Sequence, residues 1–116
     1  MRKVSKEDFA IIEHQNPLLE IVANIASKVT GVSLEDMKSR KTSHHIAVAR
    51  AIYANVCRRV VFPQYYIPYY IGKHEMALKH WYDMHELLYK KDISYTLMAD
   101  KVKSEFDDIL NKLKNV

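Results

Sequence analysis

Six cations stand in one stretch of this chain with no acid among them. Lys38, Arg40, Lys41, Arg50, Arg58 and Arg59 carry +6 between residues 38 and 59. Residues 1–37 sum to −2, residues 60–91 to +1 and residues 92–116 to −1, so the basic stretch exceeds the whole net charge of +4. A dense basic segment between nearly neutral flanks is the footprint of a polyanion site. The plainer alternative is a solvated helix face. A second set follows at Lys73, His74, Glu75, Met76 and Lys79. The pattern reads it as the start of a helix, where a recognition helix presents side chains to a major groove.

Hydrolytic and transfer chemistry find no support. A phosphate-cradling loop of the G-x-x-x-x-G-K-[ST] type is absent, and the chain holds two glycines. His74-Glu75 invites comparison with a zinc-binding H-E-x-x-H, but position 78 is Leu. His80 lies six residues beyond His74, on a different helix face, so the two do not chelate one zinc. No carboxylate pair is placed for acid–base work. The expectation is a non-enzyme with no metal, no cofactor and no small-molecule substrate.

The elements that must position the two basic sets are helical. Few glycines and prolines, 48% hydrophobic and 28% charged residues describe a globular chain with its own core and little need of turns. The expected fold class is all-α: about six helices in residues 16–116, preceded by an arm or short helix over residues 1–15. Asn16-Pro17 starts a helix that Gly31 ends. Ser33 caps a second, short helix to about Ser39. A basic loop, 38–43, leads to a third helix capped by Thr42 or Ser43, with Ile46, Ala49, Tyr53, Val56 and Val60 as its apolar stripe. Pro63 stops it. Ala47, Arg50, Ala51, Ala54 and Arg58 form an adjoining arc, where small residues admit either a neighbouring helix or a phosphate backbone.

The run from Gln64 to Gly72 holds four tyrosines. It reads as a short helix or turn packed on the core, with a base-stacking platform for single strands as the lesser alternative. A fifth helix spans about Lys73 to Tyr89 with Ala77, Trp81, Met84 and Leu88 inward. The last runs from about Ser94 to Lys112, with Met98, Val102, Phe106, Ile109 and Leu113 inward. Cys57 is alone and reads as a core residue. No apolar run approaches membrane-spanning length and no signal peptide is visible, so the expected location is cytoplasmic.

Two stretches carry a family resemblance. The first runs from Ile21 through Thr30-Gly31-Val32-Ser33-Leu34-Glu35-Asp36-Met37-Lys38-Ser39-Arg40. The second is Ala49-Arg50-Ala51-Ile52-Tyr53-Ala54, with Arg58-Arg59 and then Tyr66 to His74. Together they resemble the C-terminal DNA-binding domain of the bacterial replication initiator DnaA, whose helix-turn-helix fold is shared more distantly with the Trp repressor. The likeness covers roughly residues 18–90. Arg50 stands at the arginine of the family's A-R-Q motif, but Ala51 replaces the glutamine. Gly72-Lys73-His74-Glu75-Met76-Ala77-Leu78 keeps little of the family's base-reading G-x-R-D-H-T-T-V signature.

The resemblance implies double-stranded DNA as partner, bound through a helix-turn-helix, with a role in replication or transcription; the shortness of the chain leads to the expectation of a phage or mobile element. Lys38, Arg40 and Lys41 would hold phosphates or enter a minor groove, with Thr42 and Ser43 completing the loop. Arg50 and Arg58 would contact the DNA backbone, and Lys73, His74, Glu75, Met76 and Lys79 would face the groove. On this reading Arg50→Ala weakens DNA binding without much loss of stability. The alternative is a helical adaptor that binds a protein through the tyrosine-rich turn. Open tyrosines in one patch would favour the adaptor. Packed tyrosines, with the 38–41 loop and residues 73–79 on one surface, would favour DNA.

Overall fold

A computed structural model describes residues 17–114, and the expected 1–15 arm and the Asn16 cap lie outside the described residues. Six helices are formed: α1 (Pro17–Thr30), α2 (Leu34–Lys38), α3 (His44–Cys57), α4 (Tyr66–Tyr70), α5 (Ala77–Leu88) and α6 (Ile93–Lys114). No strand occurs among the described residues. None of these helices is long and apolar enough to cross a membrane.

Local chemistry explains most boundaries. Gly31 takes the left-handed φ of 77° that stops α1, and its N–H donates to the Ser27 carbonyl at 2.9 Å. The Ser33 hydroxyl accepts from Asp36 N at 3.0 Å, and that of Ser43 accepts from Ile46 N at 3.4 Å, capping α2 and α3. Ser43 rather than Thr42 is therefore the cap. α3 ends at Cys57, before Pro63, in a turn where Val60 N and Val61 N both reach the Cys57 carbonyl. Val60 thus leaves the predicted helical stripe.

α3 is buried on most sides from Ile46 to Cys57, and the other five helices pack on it. Of the small-residue arc, Arg50, Ala51 and Ala54 are buried under neighbouring elements, while Ala47 is half-buried and Arg58 exposed. α4 lies against α3 through the Tyr53 hydroxyl, which donates to the Ile67 carbonyl at 2.6 Å. α6 buries Tyr95, Ala99, Val102 and Phe106, while Leu113 is 58% exposed. Met98, Val102, Phe106 and Ile109 of the expected stripe pack on the core, Leu113 does not, and Tyr95 and Ala99 extend the stripe at its start.

α5 and α6 are tied by His85, whose Nδ1 meets the Tyr95 hydroxyl at 2.7 Å. Burial is the main cause holding the His85 imidazole below its ordinary range; Arg58 adds to that, and Glu86 and Asp100 oppose it. The unfolded chain therefore takes up the proton first as pH falls, so folding weakens on descending below about 6.5. Urea midpoints across that interval are expected to fall, and His85→Gln to flatten the trend. A wild-type midpoint equal to the variant's at every pH would contradict this.

Candidate nucleic-acid interface

The loop after α2 is built around one guanidinium. Arg50 is 6% exposed and points back under the loop from α3. Its Nε donates to the Met37 carbonyl at 2.9 Å and its Nη1 to that of Lys41 at 2.8 Å. Nη2 donates to the carbonyls of Ser39 at 2.7 Å and Asp36 at 3.2 Å. Arg50 is thereby corrected from a DNA-backbone contact to an internal clamp: its donors face backbone oxygens and its charge is covered. The Ser39 hydroxyl adds a turn of its own, donating to Asp36 O at 2.7 Å and accepting from Lys41 N at 3.1 Å.

Lys73 joins this loop from the other side. Its ammonium donates to the Ser39 carbonyl, the same oxygen that Arg50 uses. Gly72 precedes Lys73 with a φ of 72°, a backbone conformation that favours glycine, although a Cβ there would make only ordinary contact with the Lys38 carbonyl at 4.0 Å. Burial, then the nearby charges of Arg50 and Arg40, hold the Lys73 ammonium below the ordinary lysine range. Like charges are thus crowded here. Among the described residues no carboxylate lies within ion-pair distance of Lys38, Arg40 or Lys73. Lys38 and Arg40 are exposed, with the Lys38 ammonium 5.2 Å from the centre of the Tyr70 ring. Lys41 is exposed but partly neutralised by Asp36 at 3.0 Å. Thr42 and Ser43 are exposed at the loop's end.

The second predicted set divides. α5 begins at Ala77, so Lys73, His74, Glu75 and Met76 lie in the turn before it and not on its first turn. The correction has a local cause: Lys73 N closes back on the Pro68 carbonyl at 2.9 Å, keeping it with α4. His74 is exposed and its Nδ1 accepts from Met76 N at 3.2 Å, capping the turn. Met76 is 68% exposed. Lys79 is held by Asp83 at 2.6 Å, and that contact raises its pKa.

Arg58 sits at the far end of α3, roughly 22 Å from Ser43 along the helix, with its guanidinium 4.3 Å from the Tyr82 ring centre. It shares a shallow depression with Glu75, Lys79 and Asp83. The structure thus gathers Lys38, Arg40, Lys41 and Lys73 around one loop, and places Arg58, Glu75 and Lys79 in a separate mixed-charge patch.

The tyrosines are packed. Tyr69 is 6% exposed, and Tyr65, Tyr66 and Tyr70 are half-buried against the core. Tyr65 touches Tyr66 and Tyr69 at centroid distances of 4.6 and 5.6 Å, tilted rather than splayed. No cluster of three His, Cys, Asp or Glu suited to a metal occurs among the described residues.

Charge counting missed the inward turn of Arg50. A signal existed: Arg50 stands between alanines in the otherwise apolar run from Ile46 to Ala54. No family model matches the chain, and neither a curated protein nor a solved structure is significantly similar to it.

Proposed function

We propose that this chain binds double-stranded DNA by its phosphates, with Lys38, Arg40 and Lys73 as the principal contacts and Lys41 as a weaker one. In this reading α4, the 71–76 turn and α5 serve as a helix-turn-helix. His74 and Met76, both exposed, are its groove-facing side chains. One observation carries the proposal: two segments more than thirty residues apart bring Lys38, Arg40 and Lys73, which have no carboxylate partner among the described residues, onto a single braced loop. A solvated helix face does not require such convergence.

Sequence reading is expected to be weak. Lys79 is occupied by Asp83, and Glu75, Asp83 and Glu86 give the depression beside α5 an acidic share. Phosphate contacts position a protein without specifying sequence. The adaptor reading through the tyrosine turn has less support, because Tyr69 is buried and its neighbours are half-buried. A regulatory role in replication or transcription is the biological setting proposed for such binding.

Anisotropy titration of a labelled random-sequence duplex and of its single strand, followed by selection from the duplex pool, tests it. The expected result is preference for duplex with little motif enrichment. Tighter binding to the single strand, or no binding to either, would overturn it.

A further inference from the structure

A half-open cleft of about 250 Å3 lies between α3, α5 and α6. No residue of the basic loop lines it. Ile52, Val56 and Ala99, all nearly or fully buried, make its apolar floor. One wall is flat: the His85 ring stacks on Tyr89 at a centroid distance of 5.0 Å and an interplanar angle of 23°. Arg59 and Lys103 bring two cations to the rim. Arg59 spends one Nη on Asp107 at 2.7 Å and keeps its remaining N–H groups, while Lys103 has no ion-pair partner among the described residues.

We propose that this cleft binds a small aromatic carboxylate, its head between Arg59 and Lys103 and its ring on the apolar floor against His85 and Tyr89. Three features select that chemistry. First, a floor of branched and small apolar side chains beside a stacked ring pair suits a flat apolar body. Second, the charge balance suits a single negative charge. The lining carries Arg59, Lys103 and Asp100, a net charge of +1 that one negative charge balances and a dianionic phosphate exceeds.

Third, His85 offers a directed donor. Tyr95 is 1% exposed and its hydroxyl meets His85 Nδ1 at 2.7 Å. In the proposed complex the Tyr95 hydroxyl, which can donate or accept, donates to Nδ1, and the proton of the neutral ring lies on Nε2. Nε2–H has no protein acceptor among the described residues, and His85 lines the cleft. A carboxylate oxygen would supply the acceptor.

Titration of the full chain with benzoate, followed by amide chemical shifts in two-dimensional NMR, tests the site. Expected are saturable shifts concentrated at Val56, Arg59, His85 and Lys103, with a Kd on the order of 1 mM for so small a ligand. Acetate lacks the ring, benzyl alcohol lacks the charge and inorganic phosphate carries too much of it. Each is expected to bind about tenfold more weakly. Lys103→Gln, at an exposed position that should not disturb folding, is expected to weaken benzoate about tenfold. Non-saturating shifts, equal binding of acetate and benzoate, or an unchanged Kd in Lys103→Gln would overturn the proposal.

Discussion

Arg50→Ala is expected to destabilise the fold by about 3 kcal/mol, a large effect for one side chain. The guanidinium satisfies the carbonyls of Asp36, Met37, Ser39 and Lys41 at once. Its removal leaves these acceptors at a partly buried site where water does not replace them all, and it opens a hole beneath the loop. Ser39 O keeps a second donor from Lys73 and Asp36 O keeps the Ser39 N–H and hydroxyl, so the loss falls on the Met37 and Lys41 carbonyls. For a domain of this size the loss corresponds to a fall in Tm of roughly 10–20 °C.

Arg50→Lys is expected to recover only part of that loss, since one ammonium does not span carbonyls that a planar fork reaches from three nitrogens. Urea denaturation of the two variants measures this. A loss under about 0.5 kcal/mol in Arg50→Ala would place the residue among ordinary surface positions and would refute the clamp. The sign is opposite to the expectation that charge alone gives, in which Arg50→Ala spares stability.

Lys38→Gln combined with Arg40→Gln is the second large effect, and it falls on binding alone. Both side chains are exposed and neither belongs to an ion pair among the described residues, so stability should change by less than about 0.5 kcal/mol. Duplex affinity at low salt should fall by an order of magnitude or more. Each phosphate contact adds about 0.9 to the slope of log affinity against log salt, so the double variant should lose about 1.8 from its magnitude. Lys79→Gln is the control: Asp83 already neutralises Lys79, and its removal should change affinity little. A double variant that binds as tightly as the wild type would detach the basic loop from DNA.

Much of the fold was legible in the chain because capping chemistry is local. Ser33, Ser43 and Gly31 mark boundaries by bonds or dihedrals that reach no more than four residues. Failures occur where a distant partner decides. Lys73 reads as helical from its neighbours, but its N–H closes on Pro68 and its ammonium reaches across to Ser39. Leu113 fits the α6 repeat, yet it stands 58% exposed and the core is filled by Tyr95 and Phe106. At the candidate interface the basic loop was visible as charge. The division of its residues was not: whether an arginine faces in or out depends on carbonyls thirteen positions away, as Arg50 and Met37 show.

The most direct test of the central claim is the affinity of the wild-type chain for a random-sequence duplex across a salt series. Contacts from Lys38, Arg40 and Lys73 predict binding that weakens with salt along a log–log slope of about −2.7. A slope indistinguishable from zero, or no binding at the lowest salt, would contradict phosphate recognition by this loop.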